Sequence, residues 1–180
     1  MLTISIPEIE VFDENTNEFA LFPAVDLTLE HSLVSISKWE SKWKKPFLGK
    51  DEKTLEQSID YIRCMTLSKN IDQNLYNHLP PWVFDKIREY ISDSMTATWF
   101  SDQGHKPRTR EVITSELIYY WMVAYQIPFE CQKWHLNRLL TLIQICAIKN
   151  QPPKKMSKKD ALAKQRSLNA ARRAMSGSKG

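Results

Sequence analysis

The chain has 180 residues and a formal net charge of +4 at pH 7, which suits one compact domain with an extension. No apolar run reaches the roughly 18 residues of a membrane-spanning helix, and the opening MLTISIPEIE lacks the basic and apolar regions of a signal peptide. Three cysteines without paired spacing indicate a reducing compartment. We therefore expect a soluble cytosolic protein without membrane contact.

The first 29 residues predict a β-hairpin. Apolar and polar residues alternate at its start, and a second extended stretch, 19–29, follows the polar turn at 13–17. Each strand contains a proline, Pro7 or Pro23, which is typical of exposed strand edges. The hairpin is therefore expected to serve association as well as the core.

Helical patterns fill residues 30–150. The first helix ends before Pro46. Thr54 and Gln57 have the spacing of a capping box at the start of the next helix, and Pro81 opens the one after that. These signals predict a helical domain that follows the hairpin directly.

The stretch 109–150 holds the densest run of large apolar side chains and predicts a helical hairpin broken at Pro128. Thr109 is the expected N-cap of its first arm. The second arm is expected to be buried on most of its circumference. Three- and four-residue spacing predicts that the inward face of the first arm holds Val112, Ile113, Leu117, Tyr120, Trp121 and Ala124.

The charge is distributed unevenly. Residues 149–180 contain ten Lys or Arg and one acid, a net charge of +9, which leaves −5 for the first 148 residues. The predicted fold is therefore mainly α: a short N-terminal β-hairpin (1–29), a helical domain built around a C-terminal helical hairpin (30–150), and a basic, exposed tail (151–180) that is helical or disordered.

No arrangement of residues points to catalysis, a cofactor or a bound metal. Cys131 and His135 lie four residues apart but lack a second pair of zinc ligands. Asp102 and His105 flank a glycine without a neighbouring nucleophile, and the four glycines form no phosphate-binding loop. The isolated His31 is expected to be structural or solvated. We expect a protein that is not an enzyme.

Aromatic residues supply candidate contacts for a partner protein. Trp39 and Trp43 stand beside a row of lysines, and such aromatics are enriched at interfaces, with plain core packing as an equal alternative. Tyr119, Tyr125 and Trp134 lie off the inward stripe of the helical hairpin. They are candidates for a groove that receives another helix.

The basic tail has three interpretations. Two of them involve a binding partner, and the third does not. It can neutralise nucleic-acid phosphates, dock on an acidic protein surface such as a neighbouring copy of this chain, or act as a solubilising extension. Nucleic acid is not favoured, because residues 149–180 contain no aromatic side chain on which a base could stack. The candidate contact residues are Lys154, Lys155, Lys158, Lys159, Arg166, Arg172 and Arg173.

Several segments in a fixed order carry a resemblance to a known family. They are LEHSL at 29–33, SKWES at 37–41, KPFLGK at 45–50, MTATWF at 95–100 and PPKKMSKKDALAKQRSLNAARR at 152–173. Together they resemble the tail assembly chaperones of long-tailed bacteriophages over most of the chain, from 29 to 173.

The resemblance implies a non-catalytic helper in the host cell cytoplasm that is absent from the mature virion. Such a helper binds the tape measure protein and keeps it soluble while tail tube subunits polymerise around it. Self-association and contact with the tail tube protein are expected as well. The alternative is a basic-tailed nucleic-acid-binding or packaging accessory protein, and a third possibility is a structural subunit of the virion.

Overall fold

The structure is a computed structural model that describes residues 1–13, 18–100, 111–150 and 158–177. The chain forms two compact units, 1–147 and 148–180. The first is mainly helical and begins with an antiparallel β-hairpin, which confirms the predicted fold class. The described helices include none that is long and apolar enough to cross a bilayer.

The β-hairpin is interrupted where its prolines lie. β1 (Leu2–Ile6) pairs with β4 (Val25–Leu29), and β2 (Ile9–Asp13) pairs with β3 (Glu18–Phe22). Pro7 and Pro23 lie between the two pairs and not within strands as predicted, because proline has no N–H to donate to a ladder. The inner face of the β1–β4 pair supplies buried core side chains: Ile4, Ile6, Leu27 and Leu29.

The helices of the first unit are α1 (Leu33–Trp43), α2 (Leu55–Met65), α3 (Pro81–Ser92), α4 (Ser115–Ala124) and α5 (Leu136–Lys149), with 3-10 helices at Gln73–His78 and Phe129–Lys133. The predicted starts of α2 and α3 are confirmed. Thr54 and Gln57 form a reciprocal capping box, and Pro81 is the first residue of α3. The segment 95–100 is irregular.

Helix α1 is the element on which the others converge. It packs against α2, α4 and the 3-10 helix at 129–133, while α3 packs against β1. Leu33, Ile36 and Trp39 of α1 are buried. The stretch 109–150 was expected to hold this central place as a two-helix hairpin. Instead, a 3-10 helix separates α4 from α5, and α4 packs against α1.

The predicted inward face of α4 is wrong. The helix buries Ser115, Ile118 and Met122, whereas Tyr120 and Ala124 are exposed. Val112 and Ile113 precede the helix, and Leu117 and Trp121 are only half-buried. Apolar residues occur on nearly every side of α4, so their spacing leaves the orientation open, and packing on α1 decides it.

The start and the burial of these two helices also differ from expectation. Thr114, not Thr109, is the N-cap of α4, and Thr109 itself lies outside the described residues. Helix α5 buries one stripe, Leu136, Leu139 and Ile143, and exposes Arg138, Gln144 and Ile148 on its other side. Burial of α5 is therefore one-sided rather than circumferential.

A buried pair of histidines joins the end of the hairpin to α2, α3 and α5. The rings of His31 and His135 lie edge to face with centroids 5.0 Å apart, and His31 Nδ1 shares a hydrogen bond of 2.5 Å with the Tyr61 hydroxyl. Nε2 of His135 donates to the carbonyl oxygen of Tyr90 at 3.0 Å, because a carbonyl only accepts. Nδ1 then accepts the Asn137 N–H at 3.3 Å, so His135 is neutral.

The second unit contains α6, which spans Lys158–Ser176. The side chains of residues 162–177 are exposed along its length. A helical tail was one of the two expected forms.

Candidate interaction surfaces

The outward face of α4 is apolar apart from one carboxylate. Tyr120 and Val123 are 65% and 60% exposed, and Glu116 precedes Tyr120 by one turn on the same side. The exposed Phe129 places its ring 6.4 Å from that of Tyr119. We call Tyr119, Tyr120, Val123 and Phe129 the α4 patch. Contiguous exposed apolar side chains of this kind are typical of surfaces that bind other proteins.

The start of α4 is held firmly on α1. The carboxylate of Glu40, in α1, is buried, and its Oε2 accepts the N–H of Ser115 at 2.7 Å. Its Oε1 accepts the N–H of Phe47 at 2.7 Å. Thr114 caps the same helix by accepting the N–H of Leu117 at 3.4 Å. The α4 patch therefore stands on a fixed support.

Of the three predicted groove residues, Tyr119 belongs to the α4 patch. Its hydroxyl donates to Oε1 of Gln132 at 2.9 Å, which ties α4 to the neighbouring 3-10 helix. Tyr125 is half-buried at the C-terminal end of α4. Trp134 is also half-buried, and the guanidinium of Arg138 lies 4.3 Å from the centre of its ring. Arg138 therefore covers one face of that indole.

Trp39 and Trp43 have different environments. Trp39 is 1% exposed, and its Nε1 donates to the carbonyl oxygen of Gln57 at 2.9 Å, an environment that matches core packing, one of its two predicted roles. Core packing, the alternative, accounts for it, because the inner face of α1 meets α2 at this residue. Trp43 is half-buried and donates to Oδ2 of Asp60 at 2.9 Å.

The basic residues of the tail do not share one face. Arg166 and Arg173 are seven residues apart and lie on one side of α6, whereas Arg172 lies four residues from Leu168 on another side. All three arginines are exposed. Lys158 and Lys159 begin the helix, and Lys154 and Lys155 lie outside the described residues.

The β2–β3 pair carries an exposed face that combines apolar and acidic side chains. Phe12 lies opposite Phe19 with ring centroids 5.1 Å apart, and Glu10 lies opposite Leu21. Phe19 and Leu21 are 67% and 60% exposed. We call these four residues the hairpin face. Residues 1–30 contain seven Asp or Glu and no Lys or Arg, a sequence signal that could have indicated this surface.

Four residues were candidates for metal binding or acid–base chemistry. Two of them are packed in the folded unit, and the other two lie outside the described residues. Cys131 is buried, and both ring nitrogens of His135 are in hydrogen bonds. Asp102 and His105 lie outside the described residues. Within the described part of the chain, no three His, Cys, Asp or Glu residues are grouped as metal ligands would be.

No protein-family model, curated protein or solved structure matches this chain.

Proposed function

We propose that this protein is a non-catalytic assembly chaperone that binds the tape measure protein of a long-tailed bacteriophage and keeps it soluble during tail tube assembly. The class of function comes from the sequence segments between 29 and 173 that together, and in the same order, resemble such chaperones. The α4 patch is the observation that supports it, because it offers an exposed apolar surface to a helical partner.

A tape measure protein is a long amphipathic helical molecule, and its apolar stripe would aggregate if it remained bare. An apolar stripe laid along α4 would cover Tyr120 and Val123, which follow the axis of that helix, and would reach Phe129 beside them. The α4 patch and the apolar stripe of the partner would then both be removed from water. Burial of apolar surface is the main driving force of such association. The patch has few side chains, so each contact is weak and can be displaced when tube subunits arrive.

The support of α4 contributes to this binding. Glu40 and Thr114 hold the first turn of the helix, so the patch needs little ordering when a partner arrives. Many weak contacts along one long helix then add up, since each bound segment of the partner raises the effective concentration of the next. Placement in the host cytoplasm and absence from the finished virion belong to the same proposal.

The test is co-expression with the matching tape measure protein, followed by pull-down and by measurement of the soluble fraction. The wild-type chain should raise the soluble fraction, and the double variant Tyr120→Ser and Val123→Ser should lose this effect. The matched control, Leu55→Ser with Leu67→Ser, alters exposed apolar residues elsewhere and should keep it. A tape measure that is equally insoluble with and without this chain overturns the proposal.

The second candidate is a basic-tailed nucleic-acid-binding accessory protein, which the exposed arginines of α6 favour. Its affinity for arbitrary duplex DNA would fall steeply with salt and would vanish on deletion of 154–180. Micromolar or tighter binding at physiological salt, lost in that deletion, would select this function over the chaperone. A titration followed by fluorescence anisotropy decides between them.

A further inference from the structure

We propose that helix α6 of one copy docks on the hairpin face of a second copy, which links copies of this protein head to tail. This contact uses surfaces other than the α4 patch, so it does not depend on the proposed tape measure partner.

The hairpin face supplies the acidic side of the contact. Phe12, Phe19 and Leu21 point to the same side of the β2–β3 pair as Glu10, because residues opposite each other in a ladder share a face. The apolar residues of this set are exposed, whereas Phe22, on the other face, is buried. With seven acids and no Lys or Arg, residues 1–30 carry a side-chain charge of −7.

Helix α6 supplies the basic side. Leu168 and Met175 are exposed, and they lie seven residues apart on one face of the helix. Lys164 and Arg172 are four residues before and after Leu168, so they flank it on that face. This face therefore alternates apolar and basic side chains, the pattern that complements the hairpin face.

Charge decides which surfaces can meet. Residues 158–176 contain six Lys or Arg and one acid, a net charge of +5, whereas residues 8–22, which include the hairpin face, contain five acids and no Lys or Arg, a net charge of −5. Two copies of α6 would repel each other, and so would two hairpin faces. A hairpin face and an α6 attract each other, which favours the head-to-tail arrangement and speeds encounter.

The hairpin face is long enough to cover the apolar residues of α6. Five residues of a strand span about 17 Å, and the seven residues from Leu168 to Met175 rise about 10 Å along the helix axis. The hairpin face can thus receive the two turns in the C-terminal half of α6 that carry Leu168 and Met175. A head-to-tail contact leaves one free surface at each end, so it produces chains of copies unless the geometry closes a ring.

The first test is the mass of the full chain by sedimentation or light scattering across protein concentration and salt. The mean mass should rise above that of one chain with concentration and should fall between about 50 mM and about 500 mM salt, because screening weakens exposed charge pairs. A mass of one chain at every concentration in low salt overturns the proposal.

Charge reversal tests the pairing itself. Glu8 is an exposed acid beside the hairpin face, just before β2. Glu8→Lys with Glu10→Lys on one chain, or Lys164→Glu with Arg172→Glu on another, should each weaken self-association on the order of ten-fold or more. Mixing the two variants should restore it, because each reversed surface then meets an opposite charge on the other chain. Failure of the mixture to assemble, with both variants folded by circular dichroism, overturns the pairing.

Two controls separate this face from general charge effects. Glu52→Lys with Glu89→Lys removes the same number of exposed acids outside the hairpin and should leave association unchanged. Arg166→Glu with Arg173→Glu reverses charge on another side of α6 and should weaken association clearly less than the Lys164 and Arg172 pair. Equal loss from both α6 pairs would overturn docking through Leu168.

The apolar part of the contact has its own variant. Phe19→Ser with Leu21→Ser removes two exposed side chains of the hairpin face and should reduce association in high salt as well as in low salt. Unchanged association in this variant would overturn a role for the hairpin face.

Discussion

Oε2 of Glu40 accepts a hydrogen bond from the N–H of Ser115 at 2.7 Å, across 75 residues of sequence. The carboxylate is buried, and its other oxygen binds the N–H of Phe47. One side chain of α1 therefore satisfies two backbone donors and holds the start of α4, the helix that carries the proposed binding patch.

Replacing Glu40 by Gln should destabilise the fold. The amide has one accepting oxygen, so one of the two N–H groups would face an NH2 group and lose its partner. We expect a loss of about 1–3 kcal/mol in the free energy of unfolding, measured by urea denaturation. Glu89→Gln, on the exposed surface of α3, is the control and should stay within about 0.5 kcal/mol of wild type. Equal stability of Glu40→Gln would show that the buried bonds to Ser115 and Phe47 contribute nothing.

Stability should decrease in mild acid because of His31. Burial, with a smaller effect of His135, lowers the pKa of His31 to about 4, against 6.5 for an unperturbed histidine. The unfolded chain therefore binds a proton more readily, and stability is lost as the pH falls from 6.5 towards 4, by about 3 kcal/mol for this residue. Urea midpoints at intervals of pH measure the slope.

His31→Asn tests the origin of that slope. Asn keeps a polar atom near the position of Nδ1 but does not titrate, so the loss of stability below pH 6.5 should become shallower. His78→Asn, at an exposed position outside the buried histidine pair, is the matched control. A slope that is the same in both variants would assign the acid sensitivity to other groups.

Trp39 should behave as a core residue. Trp39→Phe removes the hydrogen bond to the carbonyl oxygen of Gln57 and part of a buried ring, so we expect a loss of about 2–4 kcal/mol and a lower Tm. Trp82→Phe, at a partly exposed position of α3, should cost less than about 1 kcal/mol. A Trp39 variant with wild-type Tm but weakened partner binding would restore the interface role.

The finished particle offers a test of the chaperone proposal that needs no variant. If this chain leaves the tape measure protein when tube subunits arrive, it should be absent from purified virions. Lysates of infected cells should still contain it. Quantitative mass spectrometry of both samples measures the ratio. Stoichiometric recovery of the chain in virions would favour a structural subunit instead.

Local chemistry determined several parts of this fold. The capping box of Thr54 and Gln57 and the first residue of α3 at Pro81 depend on neighbours within a few residues, so the sequence alone predicts them. The acidic body and the basic tail follow from composition in the same way.

Tertiary structure decided the parts that depend on distant contacts. The inward face of α4 and the burial of Trp39 were predicted wrongly or left open, because an apolar helix or an indole fits several partners equally well by spacing alone. The pairing of His31 with His135 brings together residues far apart in sequence. Only the docking of α1 against its neighbours selects one arrangement, since burial energy depends on which surfaces meet and not on their order along the chain.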